Sequence, residues 1–360
     1  MTNRRRFIQR IAGATAGTVL AGAALLDARQ GQRRTVSIGG KRIRTIDIHC
    51  HCVIAGILDV IKDPKTLAAA KEEIHRPFPN GLGPERLRYM DQGGIDIQAL
   101  SINEFWYKWD RPTVSAVVDV QNQGLAKYCA EHSDRFVPMA SVALQFPDLA
   151  AQQLDTAVRK LGMHAVAIGG SIDGEEISGE KFYPFWSKAE ELGALVYMHP
   201  QPAAGTTVSK RTTGKGRLEN IIGNPLETTV FLSHMIFDGT LDRFPGLRIC
   251  ASHGAGYLGS YNSRSDALCA RESGADCRAL KKKPGEYLRR EIFADTIVFD
   301  NEALRHLVAE CGVGQIMYGT DYPFDWPVGV DFILNAPFLS AADKTAILGG
   351  NAARMLKLPL

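Results

Sequence analysis

The sequence predicts an α/β protein built as one (β/α)8 TIM-like barrel, and three observations predict it. Eight short β-rich runs alternate with longer amphipathic stretches; the runs are almost wholly apolar; and histidines and aspartates collect at their C-terminal ends. The expected strands cover 43–49, 95–102, 136–143, 164–169, 194–199, 247–253, 290–295 and 315–320. Runs such as Ala194-Leu-Val-Tyr-Met-His199 have no face suited to water, as parallel strands covered on both sides require. Helical periodicity fills 113–132, 148–160, 180–192 and 301–311, with glycine stops at Leu161-Gly162 and Leu192-Gly193. Eight repeats of strand and helix favour a closed barrel over an open sheet, in a single domain over residues 36–360.

The first 35 residues stand apart. Residues 1–34 hold seven arginines and one acid, a charge of +6, so the remainder of this +3 chain carries −3 and offers no field for nucleic acid. Asn3-Arg4-Arg5-Arg6-Phe7-Ile8-Gln9 has the pattern of a twin-arginine export signal, followed by an Ala/Gly/Thr-rich stretch from Ile11 to Leu26. That stretch is too short and too weakly apolar for stable membrane insertion. The expectation is a signal peptide and short linker over 1–35, and a periplasmic or secreted mature protein. The seven cysteines contain no CxxC pair, and a chain exported after folding in a reducing compartment is not expected to carry a disulfide framework. Cys50, Cys52 and Cys250 read as small buried hydrophobes.

Two insertions, 54–83 after the first strand and 202–224 after the fifth, lie in loops that a barrel places on its catalytic face. Both are expected to be lids over a substrate site, with a passive surface loop as the alternative.

The chemistry lies in the strand ends. His49 and His51 close the first strand and, two residues apart, share one side of it while Cys50 takes the other. His199 ends strand five, His253 strand six, Asp295 strand seven and Asp321 strand eight. One such residue is an ordinary core polar group; several gathered at one end of a barrel form a site. Three imidazoles and a carboxylate suit a borderline divalent ion, Zn²⁺ first, with Fe²⁺, Mn²⁺ or Co²⁺ also compatible. Such an ion lowers the pKa of a bound water, and a further histidine can move the proton. Asp295 either supports this group or caps the following helix. His75, His132, His164, His234 and His306 fall in helices, in a loop or at the opposite barrel end, where structural roles are expected.

Five segments, in order, carry a resemblance: Ile46-Asp-Ile-His49-Cys-His51, the run from Arg88 to Ser101 containing Met90-Asp-Gln-Gly93, Asn224-Pro-Leu-Glu-Thr-Thr229, Phe244 to Gly256 with Ser252-His253-Gly, and Gly319-Thr-Asp-Tyr-Pro-Phe324. With them the chain resembles the amidohydrolase-related family typified by 2-amino-3-carboxymuconate-6-semialdehyde decarboxylase, over nearly all of its length beyond the signal. The resemblance implies a barrel of the metal-dependent hydrolase type. It implies one divalent ion, zinc by the family pattern, on His49, His51, His199 and Asp321, with His253 as the acid/base. It further implies Arg264 as a substrate-carboxylate ligand, across a dimer interface in some members, with a surface ion pair as the alternative. Arg76 is the nearest candidate for a second substrate arginine. Gln201 stands where the family has Trp, and Gly216-Arg-Leu-Glu-Asn-Ile-Ile222 replaces an aromatic segment, so the substrate pocket departs where the metal shell does not.

The function expected from this is non-oxidative decarboxylation of a small unsaturated or aromatic carboxylic acid by a homodimer. A hydrolase acting on an amide, lactone or C–C bond is the first alternative, and a metal-holding protein without turnover the second.

Overall fold

The computed structural model describes residues 33–75, 81–201, 211–271 and 275–359. Eight parallel strands form one sheet in chain order: β1 (Ile46–His51), β2 (Ile97–Ser101), β3 (Phe136–Ala140), β4 (Ala165–Ile168), β5 (Leu195–Met198), β6 (Arg248–Ala251), β7 (Ile292–Asp295) and β8 (Ile316–Met317). All eight coincide with the predicted runs. The sheet closes between β8 and β1: Ile48 N donates to the Tyr318 carbonyl at 2.9 Å, His51 N to Tyr322 at 2.8 Å, and Asp321 N to His49 at 2.8 Å. β8 is shorter than predicted, because from Tyr318 onward the chain bonds to β1 and to Ile347 instead of extending the ladder to β7.

Two apolar layers hold the barrel. Ile46, Ile48, Ile97, Ala99, Val137, Met139, Leu195 and Met317 fill its interior. Ala352, Ala353, Met355 and Leu356, near the C-terminus, join them and close the N-terminal strand ends, where Arg44 reaches the Pro359 carbonyl. The alternate strand positions, such as Leu100, Val166 and Val196, pack against the surrounding helices. Each large aliphatic side chain so buried contributes roughly 1.5–3 kcal/mol.

The helices are α1 (Pro64–Ile74), α2 (Pro84–Gly93), α3 (Arg111–Glu131), α4 (Pro147–Leu161), α5 (Tyr183–Leu192), α6 (Asn224–Phe237), α7 (Leu258–Cys269), α8 (Pro284–Arg290) and α9 (Asn301–Cys311), besides shorter turns. Asp63, Asp110 and Asp300 cap α1, α3 and α9, each accepting from a backbone amide three residues on. Among the described residues, no helix is long and apolar enough to cross a membrane.

Four expectations need correction or fall outside the description. The export signal and Arg76 lie outside the described residues, except that Arg33 pairs with Asp96 at 2.7 Å and Arg34 with Asp331. Of the first insertion, Ile57, Ile61 and Ala70 pack on Val117 of α3, so this described part braces the barrel wall and is no lid. The absence of disulfides is overturned: Cys269 at the end of α7 and Cys277 in the turn Ala275–Ala279 are bonded, their Cα atoms 5.3 Å apart. An eight-residue separation without a CxxC signature gave no warning of it. The other five cysteines are free and buried.

Candidate metal centre

A β-bulge prepares β1 for its two histidines. Its pairing with β2 advances three residues from Asp47 to Cys50 while β2 advances two, from Gln98 to Leu100. Strict alternation would set Asp47 beside His49. The extra residue instead turns Asp47 toward Gln98, and brings His49 and His51 to the interior rim. The His49 amide, released from the ladder, donates to Asp47 Oδ1 at 3.1 Å. Burial pushes the Asp47 carboxyl up to about 6 against the hydrogen bonds it accepts.

The other members arrive from the far end of the chain. Gly319 passes so close to His49 that an added Cβ would stand 2.8 Å from the histidine's own. Asp321 and His253 both sit in the left-handed region, at φ 60° and 54°. Such strained positions persist only when neighbours fix them. Asp295 does so for His253, accepting from the amides of His253 at 3.0 Å and Gly254 at 2.9 Å. Gly256 follows at φ 62°, where a Cβ would come 2.3 Å from the Pro225 carbonyl oxygen.

His49, His51, His199 and Asp321 converge, each offering one ligand atom, all within 4.8 Å of one another and all buried. His49 Nε2 and His51 Nε2 are 3.2 Å apart, and Asp321 Oδ1 is 3.1 Å from the first and 2.9 Å from the second. His49 Nδ1 lies 2.6 Å from Asp295 Oδ2, which holds the proton on that nitrogen and turns the Nε2 lone pair inward. Among the described residues, His199 Nδ1 is buried with no hydrogen-bond partner. Facing lone pairs with an orphaned nitrogen beside them fit a cation.

The electrostatics agree. Burial opposes charging His49, but the carboxylates of Asp321 and Asp295 outweigh it and push its pKa up to about 10. Burial would raise Asp321, yet the surrounding histidines hold it well below the usual carboxylate range. Burial and neighbouring imidazoles keep His199 well below its usual value, and burial lowers His51. The two carboxylates therefore favour positive charge at the centre, while burial disfavours charge on His51 and His199, which suits neutral imidazole ligands.

His253 stands beside this group, its Nε2 3.8 Å from Asp321 Oδ2. It lines a cavity of about 550 Å³ with Asp321, Tyr257, Phe299 and Trp326, and with Ile221 and Asn224 from the end of the second insertion. That part of the insertion does border the site. Trp326 was not foreseen from sequence; its indole nitrogen donates to Asp321 Oδ2 at 3.0 Å. Glu104, after β2, was likewise not foreseen. This side chain is buried, and among the described residues neither carboxyl oxygen has a partner; burial pushes its pKa up to about 8. Arg264 is not brought to the cavity: it lies exposed on α7, on one helical face with Tyr261 and Leu268, which are 63% and 56% exposed.

A closed (β/α)8 barrel with such a rim cluster defines a class of metal-centred barrel proteins. The chain belongs to the amidohydrolase family, whose model, Amidohydrolase, matches residues 46–358. It is 29% identical over 287 residues to 2-amino-3-carboxymuconate-6-semialdehyde decarboxylase of Dictyostelium discoideum, covering 76% of each chain. Gamma-resorcylate decarboxylase of Rhodococcus jostii is 27% identical over 76% of this chain and 87% of that one. In structure, 2,6-dihydroxybenzoate decarboxylase from Rhizobium superposes with a TM-score of 0.74 at 26% identity, over 88% of this chain and 99% of the other. The fold is also that of 5-carboxyvanillate decarboxylase from Novosphingobium aromaticivorans, complexed there with manganese (TM-score 0.79, 23% identity, 91% and 99% coverage).

Proposed function

We propose that the protein is a metal-dependent, non-oxidative decarboxylase of a planar aromatic or unsaturated carboxylic acid. The observation that carries this reading is the position of His253, between the four converging ligand side chains and a cavity walled by Tyr257, Phe299 and Trp326. The decarboxylase names of the relatives support the reaction, and the aromatic lining of the cavity supports the substrate class.

His49, His51, His199 and Asp321 would hold the ion, which supplies the Lewis acidity that orients and polarises the acid. Aromatic side chains hold the ring and keep bulk water from it. His253 gives a proton to the ring carbon that bears the carboxylate. The bond to the carboxylate then breaks, its electron pair returns to the ring, and CO₂ leaves. Zinc suits the donor set best, and manganese in a structural neighbour makes it the competing choice.

Arg264, exposed with Tyr261 and Leu268, supports a homodimer in which the arginine serves the second copy's substrate. Export rests on the arginine-pair sequence, and the Cys269–Cys277 disulfide is consistent with an oxidising compartment.

The test is metal analysis of the purified protein, followed by CO₂ release from carboxylated aromatics and muconate-like acids. His253→Ala should retain the ion and lose about 10²–10⁴-fold in turnover. Metal content without CO₂ release, or ¹⁸O from labelled water in an acid product, would overturn decarboxylation in favour of none or of hydrolysis.

A further inference from the structure

Arg86 on α2 is fully buried, a costly place for a guanidinium unless its donors are met. Its partners are neutral: a side chain on β2, a peptide carbonyl on β1 and a carbonyl in the segment before α2. Nη1 donates to Gln98 Oε1 at 3.0 Å, Nη2 to the carbonyl of His51, and Nε to the carbonyl of Gly81 at 3.3 Å. The guanidinium also stacks on Tyr322, 4.2 Å from its ring centroid.

Gln98 passes the connection on. Its Nε2 donates to Asp47 Oδ2 at 3.0 Å, and Asp47 in turn collects the amides of His49 at 3.1 Å and Thr320 at 3.0 Å, with the Thr320 hydroxyl at 2.7 Å. One buried network therefore grips the peptides of His49 and His51 on β1 and of Thr320, next to Asp321, beyond β8. Tyr322, on the other side of Asp321, is held by the same guanidinium. The β1 bulge makes this possible, because it turns Asp47 away from the ligands and frees the amide that Asp47 accepts.

We propose that Arg86, acting through Gln98 and Asp47, is the positioning residue that sets the spacing of His49, His51 and Asp321 across the β1–β8 seam, and thereby the affinity and geometry of the bound cation. The inference rests on the metal reading of the site. Each ligand atom is displaced when its peptide moves, and the peptides on both sides of the seam are tied to one charged group. Loss of an outer group that holds metal ligands in place typically costs about 10–100-fold in metal affinity.

The experiment is a Co²⁺ titration of metal-free full-length protein, followed by visible absorption, for the wild type, Arg86→Met, Arg86→Lys and Gln98→Met. Thermal melts of the metal-free forms run alongside. Arg86→Met should bind Co²⁺ about 10–100-fold more weakly, with a shifted cobalt spectrum. Arg86→Lys should recover part of the affinity, and Gln98→Met should show a smaller loss. A purely structural role would lower the metal-free melting temperature but leave the spectrum and affinity of the folded protein unchanged, and that result overturns the proposal. If Arg86→Met does not fold, Gln98→Met decides: wild-type affinity and spectrum there overturn it. A wild type that takes up no Co²⁺, Zn²⁺ or Mn²⁺ overturns the metal reading itself, which is distinguishable from failure of the variants alone.

Discussion

His49 Nδ1 lies 2.6 Å from Asp295 Oδ2, with both side chains wholly buried. The carboxylate fixes which imidazole nitrogen carries the proton, and the same oxygen accepts from the His253 amide. Asp295 thus orients His49, the proposed metal ligand, and His253, the proposed proton donor, together. Asp295→Asn should weaken metal binding about 10–100-fold, measured by competition with a chromophoric chelator.

Trp326 both walls the cavity and donates to Asp321 Oδ2. Trp326→Phe keeps an aromatic wall but removes the donor, so metal affinity should fall while KM for an aromatic acid changes little. Trp326→Ala should raise KM as well, by about tenfold, since each well-packed aromatic contact is worth roughly 0.5–1.5 kcal/mol beyond its buried area. Steady-state kinetics at saturating metal separate the two effects.

Glu104 titrates near 8 in the folded chain and near 4.5 when exposed, because burial disfavours its charged form. Between these values the unfolded state has lost a proton that the folded state keeps. Stability must therefore fall as pH rises from about 4.5 to about 8. Glu104→Gln removes that slope. Its melting temperature should match wild type near pH 4 and exceed it by pH 8, as read by thermal denaturation across the range.

Gly256→Ala combines a left-handed backbone with a methyl group 2.3 Å from the Pro225 oxygen. The loss of stability should be roughly 2–4 kcal/mol, by urea unfolding. Activity should fall further than stability alone explains, since His253 lies three residues away.

The barrel was legible because each strand is an apolar run bounded by helical periodicity, and the rim residues because they end those runs. Asp47 was not legible: alternation assigns it to the metal side, and only the bulge, a pairing irregularity between strands, reverses it. Trp326 reaches Asp321 across an irregular segment that has no period to read. The Cys269–Cys277 bond depends on how α7 ends and the following turn folds back, which spacing alone does not encode. Arg264 rests on resemblance alone, and within one chain it lies exposed on α7 and does not line the cavity.

The barrel shuts where its first and last strands meet, and His49, His51 and Asp321 stand on either side of that join. An ion there is a clasp between segments some 270 residues apart in the chain. Metal binding and the strength of that join would then be thermodynamically linked, so stripping the ion should loosen the seam between β1 and the segment after β8 before it disturbs strands that carry no ligand.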